Sequence, residues 1–361
     1  MRSEIRSLTG LRGLAALWVM VGHYIGDGPS SQTMRDIVEH MYLAVDLFMV
    51  LSGFVLARSS DADFQVPFSL RRAWHFLLRR LARVYPVYLL SSAVCGLLIA
   101  TGIGVWGDPE ISWPMVLTNL AMAQSWGGPY DAFNAVTWSI SIEWAANLLF
   151  AVFAFPFLRA SLGVCRLAAL ATIAGLLVYA ALNSGRAAPD DPPVFGALTW
   201  YSYPGAMVRC LSEFMLGMAC WRMLRDDRSI LWLGGDLALI PILLAMAAMT
   251  LSQSTDILFM LLGCCLMLGF AQERSHVAAL FAAPLPRFLG LISYSLYLWH
   301  IPLLRLIPPL ERWADHAVPV QPWLLAHLVL MLLVIGVSAL SYRWIERPAQ
   351  KLVMGWFEWG K

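Results

Sequence analysis

The chain has 361 residues, of which 59% are hydrophobic and 13% charged, and its formal net charge is +2. Soluble domains are about 45–50% apolar, so this composition excludes an ordinary soluble domain. The small net charge gives no reason to expect a nucleic-acid partner. We therefore predict an all-α integral membrane protein that forms a single multi-pass domain over residues 1–361.

Long apolar stretches predict about ten transmembrane helices. In chain order, these spans are Leu8–Ile25, Tyr42–Ala57, Val84–Ile103, Thr137–Phe157, Leu167–Leu182, Gly205–Met223, Ile230–Leu251, Ile257–Phe270, Phe288–Leu304 and Leu324–Tyr342. No small-residue cleavage site follows the first stretch, so it is predicted to be a retained helix and not a signal peptide. Met115–Ala123 is too short to span and is predicted to be interfacial or re-entrant.

The basic residues predict the topology. If the N-terminus is cytoplasmic, twenty of the 25 Lys and Arg residues fall at inner helix ends and loops. The connection Ser59–Arg83 is then cytoplasmic, and the outward connections are Gly104–Asn134, Asn183–Pro204 and Arg305–Pro322. This asymmetry follows the positive-inside rule, so both termini are predicted to be cytoplasmic.

The six cysteines lie in or beside apolar segments and show no paired spacing that is typical of metal ligands. They are predicted to be small buried hydrophobic residues. The sequence predicts no disulfide framework, no metal site and no permanently bound cofactor.

Ionisable residues inside the apolar spans carry the functional signal, because a charge in the bilayer is costly unless it faces a partner or a polar cavity. These residues are Arg12, His23, Asp46, Glu143, Arg209, Glu213 and His300. Arg209 and Glu213 are four residues apart on one helix face and could pair structurally. Arg12 and His23 lie within about 20° of one helical stripe and about 16 Å apart. Taken alone, they are more simply a snorkelling arginine and an unrelated hydrogen-bonded histidine.

Six segments in chain order resemble the membrane acyltransferase-3 family. They are Leu8–Ala16 with Gly22-His23, Asp46–Phe54, Arg80–Pro86, Trp138–Glu143, Ser293–Pro302 and Glu346–Pro348. Thr9 stands where an aspartate is common, and Trp144 stands where many members carry a second acid. The sequence ends soon after the last segment, so transfer is expected to be completed by the membrane part or by a separate partner.

The resemblance implies an O-acyltransferase that moves an acyl group, acetyl by default, from cytoplasmic acyl-CoA to a hydroxyl. The expected acceptor is an envelope or extracellular glycan or a related molecule, and the expected location is a bacterial cytoplasmic (inner) membrane. Membrane lipids are the other expected partners, and the oligomeric state is not predicted. The alternative is a secondary transporter or flippase, since buried charges also suit a permeation path, but the sequence shows no matched halves with interrupted helices.

Acyl transfer to a hydroxyl needs a base, and His23 is the predicted general base because a neutral imidazole accepts a proton near pH 7. Glu143 or Asp46 is expected to orient the imidazole, and the sequence does not rank them.

Arg12, Arg80 and Arg83 are predicted to bind the CoA phosphates, although Arg80 and Arg83 could instead contact lipid headgroups. Trp138, Ser139 and His300 are the predicted walls of the substrate cavity. His300 has a second interpretation as a hydrogen-bonded structural group at a span end.

Overall fold

The computed structural model describes residues 4–25, 32–62, 64, 68–103, 110–127, 132–183, 204–251, 255–308, 310 and 322–358. Within these ranges, the chain forms helices and no β-strand. The all-α class predicted from composition is therefore confirmed.

The described part contains fourteen α-helices. They are α1 (Arg6–Ile25), α2 (Gln32–Glu39), α3 (Leu43–Ser60), α4 (Leu70–Ala100), α5 (Trp113–Leu120), α6 (Thr137–Arg159), α7 (Leu162–Asn183), α8 (Gly205–Asp226), α9 (Asp236–Met249), α10 (Asp256–Phe270), α11 (His276–Phe281), α12 (Pro284–Leu304), α13 (Pro322–Ser341) and α14 (Arg347–Glu358). Short 3₁₀ turns occupy His40–Tyr42 and Arg228–Gly234, and a π-helical turn, Tyr342–Glu346, joins α13 to α14.

Fewer helices than the predicted ten have the length and composition of a membrane span. Six described helices meet both criteria, and a seventh qualifies if Arg228–Gly234 and α9, which are bent by 69°, form one span. Helix α10 has only 15 residues, which reach about 22 Å against a hydrocarbon core of about 30 Å. Helix α8 carries several charged side chains, including the fully buried Arg209 and Glu213.

The predicted cytoplasmic connection Ser59–Arg83 is helical from Leu70 onward, because α4 runs for 31 residues without a break. Buried Ala73 and Phe76 lie three residues apart among basic residues, which is the spacing of an amphipathic helix. This extension places Arg80 and Arg83 on the same rigid helix as the membrane segment. Of the predicted outward connections, Gly104–Asn134 is described at residues 110–127 and 132–134 and contains α5, whereas most of Asn183–Pro204 and Arg305–Pro322 lies outside the described residues.

Helices α1 and α12 pack backbone to backbone through glycines. A Cβ atom on Gly13 would lie 2.4 Å from the Gly290 nitrogen, and one on Gly290 would lie 1.9 Å from the Thr9 carbonyl oxygen. Small residues allow this close approach between membrane helices. The contact fixes the register between the two helices that carry His23 and His300.

Helices α3 and α8 also pack closely through glycines. A Cβ atom on Gly53 would lie 2.0 Å from the Phe214 carbonyl oxygen, and one on Gly217 would lie 2.0 Å from the Val50 carbonyl oxygen. The close packing brings Asp46 of α3 to the buried charges of α8.

Candidate active site

A cavity of about 330 Å³ lies between α1, α3, α4, α6 and α12. Its charged lining consists of Arg12, Arg58, Arg80 and Arg83 together with Glu4 and Glu143. Positive charge therefore predominates, as a polyanionic ligand would require. The remaining lining is mainly apolar and includes Phe48, Ile140 and Val84.

Arg12 reaches this cavity from α1 and is anchored at one nitrogen. Its Nη2 donates to the Gly290 carbonyl at 2.8 Å, which the close packing of α1 and α12 makes possible. Its buried Nε has no hydrogen-bond partner among the described residues. The guanidinium is thus held in place with donor capacity to spare, which is the condition of an anion-binding arginine.

Arg80 and Arg83 lie three residues apart on α4 and both line the cavity. Arg80 Nη2 donates to Glu143 Oε1 at 2.6 Å, and Arg80 Nε donates to Asn147 Oδ1 at 3.0 Å. Arg83 makes no hydrogen bond or ion pair within the described part of the chain. Arg83 is therefore the freer of the two for a ligand.

Glu143 serves as the counter-ion of Arg80, and its Oε1 also accepts a hydrogen bond from Ser52 Oγ at 2.8 Å. Within the described residues, the structure does not show the predicted contact between Glu143 and His23. The difference arises because Glu143 faces α4 across the cavity, whereas His23 takes its partner from its own helix.

His23 is oriented by a backbone carbonyl. Its Nδ1 lies 3.0 Å from the Val19 carbonyl oxygen. A carbonyl oxygen can only accept, so the neutral ring carries its proton on Nδ1 and presents the Nε2 lone pair. The half-buried imidazole is thus in the tautomer that a general base needs.

His300 lies directly against His23, with ring centroids 5.0 Å apart. Its Nδ1 lies 3.3 Å from the Leu296 carbonyl oxygen, and its fully buried Nε2 has no hydrogen-bond partner among the described residues. The His300 backbone oxygen also accepts a hydrogen bond from Tyr24 at 3.0 Å. These contacts place the two predicted imidazoles together as a pair.

Asp46 belongs to a different cluster. Arg209 Nε lies 2.6 Å from Asp46 Oδ1 and 3.5 Å from Glu213 Oε1, and all three side chains are fully buried. The interpretation of Arg209 and Glu213 as a structural pair fits this geometry. The predicted support of His23 by Asp46 does not, because Asp46 faces the guanidinium that α8 carries into the bundle.

The two predicted wall residues from α6, Ser139 and Trp138, lie at different places in the structure. Ser139 lines the cavity, and its Oγ lies 2.9 Å from the hydroxyl oxygen of Tyr297. Trp138 instead packs against the buried cluster, with its ring centroid 5.9 Å from the Arg209 guanidinium carbon.

Several polar residues of the site were not predicted from the sequence. Tyr297 lines the cavity from within the segment Ser293–Pro302, and Asn147 follows Glu143 by one helical turn. Glu346, buried on the π-helical turn, accepts hydrogen bonds from Ser295 and Gln350, each at 3.3 Å, and interacts electrostatically with Arg12 and Arg83. Membership of the quoted segments was the available signal for Tyr297 and Glu346.

A bundle of apolar helices around a basic cavity and a histidine pair defines a multi-pass membrane protein with a built polar site. The sequence model of a family described as an acyltransferase domain, acyltransferase 3, matches residues 5–343. The chain therefore belongs to this family of membrane acyltransferases, as the six segments predicted.

Curated relatives agree with this family assignment. The chain is 29% identical over 328 residues to acyltransferase MdmB of Streptomyces mycarofaciens, covering 84% of this chain and 79% of the relative. It is 23% identical to peptidoglycan O-acetyltransferase OatA of Listeria monocytogenes over 97% of this chain, but spans only 56% of that protein's length. A putative membrane-bound transacylase, BcsY of Komagataeibacter xylinus, is 26% identical, with 96% and 83% covered. No solved structure matches the chain.

Proposed function

We propose that this protein is an O-acyltransferase that takes an acyl group from cytoplasmic acyl-CoA and transfers it to a hydroxyl of an envelope glycan or a related acceptor. One observation carries the proposal: Arg12, Arg80 and Arg83 line a single cavity whose other end reaches, through Tyr297, the pair His300 and His23. Acetyl is the acyl group that the family resemblance favours.

The donor end suits CoA because its phosphates carry several negative charges. Guanidinium groups bind phosphate through planar, paired hydrogen bonds. Arg12 keeps its Nε free, and Arg83 makes no hydrogen bond or ion pair within the described residues, where Glu346 interacts with it electrostatically. A bound phosphate would also compete with Glu143 for Arg80. Donor binding would then release Glu143 from this ion pair.

At the acceptor end, His23 Nε2 takes the proton of the acceptor hydroxyl as its oxygen attacks the thioester carbonyl. The tetrahedral intermediate collapses, the carbon–sulfur bond breaks, and the CoA thiolate recovers the proton from the imidazolium. No net proton is gained or lost. Val19 holds the required tautomer throughout, because its carbonyl oxygen stays on Nδ1.

The acceptor class rests on the relatives. One is named a peptidoglycan O-acetyltransferase, and another is named an acyltransferase without a stated acceptor. Mass spectrometry of envelope glycans from strains with and without the gene tests this part. We expect one class of glycan to lose the mass of one acyl group, and identical spectra would contradict the glycan acceptor.

The topology follows from the same proposal, because CoA must reach the arginines from the cytoplasm. We expect Glu110→Cys to react with a membrane-impermeant maleimide added outside cells, and Ala62→Cys to react only after permeabilisation. Both positions are exposed, while five of the native cysteines are buried and Cys265 is partly so. The reverse labelling pattern would contradict the proposed orientation.

Replacement of Arg83 by alanine is expected to weaken CoA binding about 10–100-fold, since a hydrogen bond to a charged group contributes about 1.5–3 kcal/mol. Turnover of bound donor should change much less, because the phosphates lie away from the reacting carbonyl. Calorimetric titration with CoA in detergent measures the affinity. Arg71→Ala is the matched control, because Arg71 is exposed on the same helix and outside the cavity. An equal loss of CoA affinity in both variants would contradict a specific contact between Arg83 and CoA.

A further inference from the structure

Tyr297 and Phe48 form an aromatic floor in the cavity. Tyr297 lines the cavity and is 5% exposed, and its ring meets Phe48, another lining residue, edge to face at 5.8 Å. The Tyr297 hydroxyl lies 2.9 Å from Ser139 Oγ and donates to the Val136 carbonyl at 3.2 Å. Packing and hydrogen bonds therefore hold the ring in place.

The histidine pair lies beside Tyr297. Tyr297 and His300 have ring centroids 5.8 Å apart, and His300 in turn contacts His23. Neither histidine belongs to the cavity lining. Tyr297 is therefore the point at which the cavity adjoins the imidazoles, and an acyl group held beside Tyr297 lies next to the pair.

The cavity extends along α3. Phe48 and Arg58 both line the cavity and stand ten residues apart on α3, which corresponds to about 15 Å. With phosphates at the arginine end, the acyl group is the part of the donor that reaches Tyr297 and Phe48.

We propose that Tyr297, supported by Phe48, determines the length of the acyl group that this protein transfers, and that it restricts the donor to short acyl chains. The inference rests on the proposed acyl-CoA chemistry. A close-packed aromatic wall does not yield to extra methylenes without displacing its neighbours. In an apolar pocket, one methylene group changes selectivity by about 10–200-fold.

The test compares transfer from acetyl-CoA and hexanoyl-CoA by purified wild-type protein and by Tyr297 variants. Wild type and Tyr297→Phe should prefer acetyl-CoA, because the phenylalanine ring preserves the floor. Tyr297→Ala should raise the ratio of hexanoyl to acetyl transfer at least about tenfold. Tyr297→Leu provides a second, milder truncation if the alanine variant does not fold.

Tyr294→Ala is the matched control. Tyr294 lies on the same helix and lines the same cavity, but its hydroxyl donates to Val84 of α4 at 2.6 Å and it interacts electrostatically with Arg80 and Glu143. Its removal should leave the chain-length ratio unchanged. An unchanged ratio in folded Tyr297→Ala, or an equal shift in Tyr294→Ala, would overturn the inference.

A binding measurement separates this inference from the proposed function. The affinity of hexanoyl-CoA relative to CoA should rise in Tyr297→Ala even if that variant transfers nothing. A constant relative affinity would contradict the claim that Tyr297 limits the length of the acyl group. A wild-type protein that transfers no acyl group from either thioester would contradict the proposed function instead.

Discussion

Replacement of His23 by alanine is expected to lower the rate of acyl transfer about 10²–10⁴-fold, because the reaction loses its general base. CoA affinity should remain near the wild-type value, since Arg12, Arg80 and Arg83 are unchanged. The measurement is the release of CoA thiol from acetyl-CoA in the presence of acceptor-containing membranes, combined with titration of CoA. The His23→Ala variant would then lose acyl transfer while keeping CoA binding.

The pH profile gives this prediction a second readout. Wild-type transfer should fall as the pH is lowered and the His23 imidazole becomes protonated, because a protonated ring cannot accept a proton. His276→Ala is the control, since His276 is an exposed histidine that pairs with Asp236 at 2.8 Å. Near-normal transfer by folded His23→Ala would remove His23 from the mechanism and shift the search for a base to His300, Glu143 or Asp46.

Replacement of Arg209 by alanine is expected to lower the free energy of unfolding by about 3–5 kcal/mol, because it leaves two buried carboxylates without their counter-charge. The close glycine contacts between α3 and α8 keep Asp46 and Glu213 near each other. Thermal unfolding of purified protein in a fixed detergent measures the effect as a lowered midpoint.

Two further variants show whether charge is the cause. Arg209→Met combined with Asp46→Asn and Glu213→Gln removes all three charges and should recover much of the lost stability. Arg166→Ala, which breaks an exposed ion pair with Asp227, should cost about 1 kcal/mol or less. An Arg209→Ala protein as stable as the wild type would contradict the structural role of the cluster.

The sequence was most informative where several residues of one segment act together. The segment around Arg12 and His23 predicted both the family and a helix with an arginine and a histidine on one stripe, and Gly13 within it proved to be the contact with α12. Arg209 and Glu213 were recognisable as a pair because helical spacing alone brings them together.

Contacts between helices could not be read in the same way, because they depend on how each helix is rotated about its axis. The partners of Asp46 and Glu143 are Arg209 and Arg80, on helices far away in sequence, and no spacing rule selects them over His23. The backbone partner of His23 was equally hidden. Fewer described helices than the ten predicted spans have the length and composition of a span, because α8 carries several charged side chains and α10 has only 15 residues.

The most direct test of the central claim is the fate of the thioester when purified wild-type protein, in detergent with acceptor-containing membranes, is mixed with acetyl-CoA. We expect the wild type to release free CoA thiol together with acetylated acceptor, and both products to fall about 10²–10⁴-fold in His23→Ala. A transporter or flippase would leave the thioester intact. Acetyl-CoA that stays unconsumed by folded wild-type protein supplied with acceptor would contradict the account.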